Sequence, residues 1–177
     1  MQNNTSKIRW ITTTAIFIAL LVALQGITKS MGQYVTGSMV NMILVVATLT
    51  AGTAAGAAVA LLSPVFAFML GIGPAFVQMV PFVALGNLVL VLVWGYICGQ
   101  STEIKKMGIA LIAGAVLKFA ALYLGIVKFA VPVLLALPEP KAAVVGAAFS
   151  WPQLITAAIG GFIALLIVPT LKKALRK

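Results

Sequence analysis

No charged side chain occurs between Ser30 and Thr102, a run of 73 residues. As one helix that run would be about 110 Å long against a bilayer hydrocarbon core of about 30 Å, so the chain must turn back on itself several times within it. Soluble chains are about a quarter charged, whereas this one is 63% hydrophobic and 8% charged. The pattern is that of an integral membrane protein. Backbone groups in lipid must be satisfied internally, and the alternating ten-residue segments of a barrel are missing, so the spans are helices.

Breaks fall where Gly and Pro cluster, because Gly weakens a helix and Pro removes a backbone donor. They delimit six spans, near Trp10–Thr28, Ser38–Ala51, Ala54–Ile72, Val80–Gly99, Met107–Ala130 and Gln153–Leu171. The second and third are separated only by the small-residue run Thr50–Gly56, which leaves a five-span reading with a re-entrant segment as the alternative. The first apolar stretch is longer than the core of a signal peptide and no small-residue cleavage pattern follows it, so it reads as a retained helix. Residues 1–177 form one all-α transmembrane domain in this reading.

The net charge of +10 reports topology rather than nucleic acid, because the basic residues sit at the chain ends and in one loop and not among exposed aromatics. With six spans, Lys7, Arg9, Lys105, Lys106, Lys172, Lys173, Arg176 and Lys177 share one side, and Lys29, Lys141 and the edge residue Lys128 fall on the other. The excess of Lys and Arg in short loops marks the cytoplasmic face, so both termini are expected there, in a multi-pass protein of a bacterial-type cell membrane. The outer loops are then Lys29–Gly37, Gly73–Met79 and Val131–Pro152. The last contains four prolines and reads either as a lid over a site or as an interfacial linker.

Much chemistry is excluded. The chain has no His, no Asp and only two acidic residues, Glu103 and Glu139, so a histidine base, a paired-carboxylate site, a Ser-His-Asp triad and a histidine-ligated metal are all out of reach. The single Cys98 can make neither an internal disulfide nor a multi-cysteine metal site. No phosphate-binding Gly motif occurs, so neither enzymatic activity nor a cofactor is expected.

Polar groups inside the spans are expensive in lipid and are functional candidates for that reason. Lys118 lies near mid-depth of the fifth span, at an insertion cost of about 2.5 to 3.5 kcal/mol, and no carboxylate in any span can pair with it. It must face water, backbone carbonyls or an anionic ligand, unless its long stem lets the ammonium snorkel. Asn87 lies about two turns inside the fourth span, where an amide either bridges helices or holds a ligand. Tyr34, Gln78, Trp151, Gln153 and Asn41 lie nearer the outer boundary, with Lys128 at the interface; all but Asn41 join Lys118 and Asn87 as candidate substrate contacts. Trp151 also suits a plain interfacial role. On the first span Ala15, Ala19 and Ala23 recur every four residues, making a smooth face that another helix can approach closely, within this chain or outside it.

Together with that face, the stretches Gly37-Ser38-Met39-Val40-Asn41, Ser63-Pro64, Ala84-Leu85-Gly86-Asn87 and Phe149-Ser150-Trp151-Pro152-Gln153 make the chain resemble the substrate-binding S components of energy-coupling factor (ECF) transporters, over nearly its whole length. The pantothenate-like and cobalamin-like branch is the nearest in pattern. The resemblance implies capture of a vitamin or vitamin precursor from outside, in a pocket built by the outer halves of the fourth to sixth spans and the loops that cap them. It also implies partners: a transmembrane coupling subunit (T component), docked on Ala15, Ala19 and Ala23, and two cytosolic ATPases. A buried Lys without an acidic partner suits a carboxylate, which favours pantothenate or a similar small anionic vitamin. Two other readings stand beside this one. One is an autonomous transporter coupled to sodium through hydroxyls such as Thr48, Ser63 or Thr156; coupling to protons is disfavoured because no intramembrane Asp, Glu or His is present. The other is a non-transporting membrane scaffold, which would leave Lys118 and the long outer loop without purpose.

Overall fold

The computed structural model describes residues 2–175; Arg176 and Lys177, which contribute to the charge asymmetry, lie outside that range. The described chain is helical throughout, as α1 (Gln2–Thr28), α2 (Gln33–Ala51), α3 (Thr53–Met69), α4 (Val80–Cys98), α5 (Ile104–Leu122, continued by wider turns through Tyr123–Leu134), α6 (Lys141–Ala148) and α7 (Trp151–Leu175). Among the described residues, five stretches are long and apolar enough to cross a membrane, and α3 is a shorter apolar helix of 17 residues. At 1.5 Å per residue α3 is about 25 Å long, at the lower end of what spans a bilayer.

The boundary left open between the second and third spans falls at one residue. Gly52 has φ 99° and ψ 160°, a conformation that Cβ-bearing residues rarely adopt, and α2 and α3 meet across it as a tight helical hairpin. The sequence expectation of an outer loop over Lys29–Gly37 is corrected: a short turn at Lys29–Met31 suffices, and Gln33 to Gly37 already belong to α2. The long outer segment Val131–Pro152 is not an irregular linker either. The fifth span continues to Leu134 past Pro132, whose missing N–H is accommodated as the helix widens, and the segment then folds into the eight-residue α6.

Two apolar clusters hold the bundle. The larger draws on α1 to α5 and α7 around Leu44, Leu49, Leu90, Trp94 and Met107, all removed from solvent. The smaller consists of Met79, Leu122, Ile126 and Val131, and Ala142, Val145 and Phe149 of the α6 region pack onto it. Partial burial of Ala142, Val145 and Phe149 there holds this segment as a folded cap. The most extensive helix contact is between α2 and α7, while α1 packs mainly on α2 and α3 at the edge of the bundle. Close approach of α2 and α7 requires Gly160: a Cβ there would lie 2.5 Å from the Ser38 carbonyl oxygen and 2.7 Å from Asn41 Cβ.

The two ends of the bundle differ. At one, Lys29 Nζ donates to the Gly71 carbonyl at 2.7 Å, and Gln33 Nε2 and Gln153 Nε2 both donate to the Ala148 carbonyl, at 2.5 and 3.1 Å. These bonds tie the α1–α2 turn to the α3–α4 loop and tie α6 to the starts of α2 and α7, forming a capped end. At the other, Lys172 Nζ donates to the Gln100 carbonyl at 2.9 Å, joining the end of α7 to the α4–α5 loop.

Candidate functional site

Beneath the cap lies a cavity of about 440 Å³, the size range of small-molecule sites. Side chains from α1 to α5, from α6 and from the start of α7 line it, so it occupies the axis of the bundle rather than one side. Its wall is largely apolar, through residues such as Leu21, Val40, Met79, Val83, Leu122 and Phe149. Neither of the two acidic residues contributes to it.

At the cavity α5 supplies Lys118, α2 supplies Asn41 and α4 supplies Asn87, each almost wholly buried. Lys118, with 3% of its surface exposed, donates from Nζ to Asn41 Oδ1 at 2.5 Å and to Asn87 Oδ1 at 2.6 Å. Asn41 Nδ2 in turn donates to Thr156 Oγ1 at 3.4 Å, and Thr156 donates to the Gln153 carbonyl at 3.3 Å. The network therefore joins α2, α4, α5 and α7 through their interior. The sequence places Lys118 against water, backbone carbonyls or an anionic ligand, and the structure adds two side-chain amides that receive it. Amide oxygens solvate an ammonium without neutralising it, and Lys has three N–H donors, of which these bonds use two. Glu103 is engaged with Lys106 at 3.4 Å, and no ion pair to Lys118 occurs among the described residues. The cavity thus presents an uncompensated positive charge with a donor to spare, in apolar surroundings where electrostatic attraction is strong.

The family model described as "ECF transporter, substrate-specific component" matches residues 9–172. The chain belongs to this family. No curated protein and no solved structure matches it. Substrate-specific components are subunits of transporters and not enzymes.

In this substrate-specific component, Lys118, Asn87 and Gln153 line the cavity together. Four other candidates do not. Tyr34 is 53% exposed on α2, and Gln78 is exposed in the turn before α4. Trp151 is 66% exposed and stacks on Phe119 with ring centroids 5.5 Å apart, while Lys128 lies 5.5 Å from the centroid of the Tyr123 ring. Trp151, Phe119, Tyr123 and Lys128 together form an aromatic and cationic belt on the outside of α5 and α7, the arrangement expected of a membrane–water interface. Helix phase, which decides inside from outside, separates these residues from their neighbours in sequence: Gln153 follows Trp151 by two positions and points elsewhere.

Ala15, Ala19 and Ala23 are all exposed, so internal packing does not use that face. The sequence reading sets Asn41 near the boundary and outside the candidate contacts, and names Thr156 only as a hydroxyl of the sodium-coupled alternative. An Asn inside the apolar run Val40–Val46 is the available signal; its meeting with Lys118 depends on α7 and α4, each of which packs against both α2 and α5.

Proposed function

We propose that the protein is the high-affinity capture subunit of an ECF importer for a small anionic vitamin, with pantothenate the first candidate. The observation that supports this is the buried ammonium of Lys118, held by neutral amides in a cavity without an acidic residue. A carboxylate is the group that such a charge recruits. The cavity volume of about 440 Å³ supports a small vitamin ahead of a corrinoid.

Six membrane crossings, with α3 as the short one, and both termini in the cytoplasm fit the charge asymmetry, because the basic clusters accompany the end of the bundle opposite the cap. The cap then faces the exterior, from which substrate enters. The exposed Ala15, Ala19 and Ala23 form the docking face for a transmembrane coupling subunit, which links the protein to two cytosolic ATPases.

The decisive experiment is mass spectrometry of small molecules released from the purified protein, followed by calorimetry with the compound found and with pantothenate. A small carboxylate-bearing vitamin bound in one-to-one ratio is the expected result. Release of only neutral or cationic compounds, with no heat on pantothenate addition, would sink the reading.

A further inference from the structure

Ser63 of α3 also lines the cavity, and its hydroxyl is anomalous. Helical hydroxyls elsewhere in the bundle satisfy themselves on the carbonyl one turn back: Thr28 on Leu24, Ser38 on Tyr34, Thr48 on Leu44 and Thr50 on Val46, all at 2.6 to 2.7 Å. Ser63 does not. It is 1% exposed, and its Oγ has no hydrogen-bond partner among the described residues. Leaving a buried hydroxyl unmatched is costly, which makes such an atom a candidate for a partner from outside the chain. Thr14 is also unmatched, but it does not border the cavity. The next residue, Pro64, has no N–H, so the Ala60 carbonyl in the same turn loses its ordinary helical donor and this part of α3 carries further unused hydrogen-bonding capacity. Lys118, Asn41 and Asn87 come from α5, α2 and α4; Ser63 brings in a fourth helix that is otherwise represented at the cavity only by Pro64.

We infer that Ser63 is a specificity-determining contact, which selects among small carboxylates those whose distal end also carries a hydroxyl or ureido group to meet α3. This rests on the reading of Lys118 as the carboxylate site and adds the second half of the recognition. The hydroxyl reaches the substrate by turning about χ1 between staggered positions, and it serves as either donor or acceptor. The substrate class is accordingly a short bifunctional acid, with its carboxylate at Lys118, its connecting chain against Val83 and Leu122, and a hydrogen-bonding head at Ser63.

The test uses calorimetry on the full chain and on Ser63→Ala with two pairs of probes: pantothenate and its analogue with both hydroxyls replaced by hydrogen, and biotin and its analogue lacking the ureido ring. Wild type should prefer the complete member of at least one pair, and Ser63→Ala should lose about five- to tenfold for that member while binding the stripped analogue unchanged. The thermal midpoint of the ligand-free variant should not fall, because no internal bond is removed. Equal losses for both members of the pair, a preference that persists in the variant, or a marked fall in ligand-free stability overturns the role of Ser63 and leaves the anionic reading intact. Failure of wild type to bind any of the four probes overturns both.

Discussion

Lys118 Nζ and Asn87 Oδ1 lie 2.6 Å apart in the interior of the bundle, joining α5 to α4 by a charge-assisted bond in which only one partner is charged. A salt bridge would have cancelled the charge of Lys118. The amide instead steadies the ammonium and leaves its field available to a solute. The consequences of that choice are measurable.

Lys118→Met removes the charge while keeping an apolar stem of similar length. Pantothenate affinity should fall by about 1.5 to 3 kcal/mol, the scale of hydrogen bonds to charged groups. Calorimetry on the folded variant checks this, and unchanged affinity would count against the carboxylate assignment. Lys118→Arg should not rescue binding, since a planar guanidinium does not fit between two amides set to receive a compact ammonium.

Asn87→Leu takes one of two acceptors from a buried cation, so it should cost both binding and fold. A loss of about 1 to 3 kcal/mol of ligand-free stability is expected, together with weaker pantothenate binding. Thermal unfolding in detergent with and without pantothenate separates the two effects. A ligand-free midpoint equal to wild type would show that the Lys118–Asn87 bond contributes nothing to the fold.

The cap depends on a shared acceptor, the Ala148 carbonyl, bonded by both Gln33 and Gln153. Saturating pantothenate should protect residues 135–150 from limited proteolysis, and Gln33→Ala should raise the dissociation rate with less effect on association. Identical cleavage patterns with and without pantothenate would count against a closing lid.

Ala19 is exposed on α1, so Ala19→Trp adds bulk without invading the core. Vitamin binding should remain normal, while copurification with the coupling subunit and ATPases, and ATP-dependent uptake, are lost. Uptake by this chain alone in liposomes, driven by an ion gradient, would overturn the importer reading.

Gly160→Ala tests the α2–α7 contact. Its Cβ would meet the Ser38 backbone oxygen at 2.5 Å, and backbone cannot swing aside as a side chain can. Overpacking of this kind costs about 1 to 3 kcal/mol, visible as a lowered thermal midpoint. A midpoint unchanged from wild type would mean that the two helices separate freely.

The all-helical fold was legible in the sequence because the bilayer leaves so few alternatives: an uncharged run of 73 residues must become helices, and Gly and Pro mark their ends. Lys118 and Asn87 were legible as well, since a polar group in an apolar span stands out from composition alone. What lies beside them was not. Whether Asn41 meets Lys118, whether Trp151 faces out while Gln153 faces in, and whether Ala142 to Phe149 fold back as a cap are settled by helix phase and by close packing at contacts such as Gly160. In a uniformly apolar helix no polar face marks the inward side, so periodicity carries little of that information. Only the tertiary structure brings together residues 77 positions apart and leaves the hydroxyl of Ser63 without a partner inside the cavity wall.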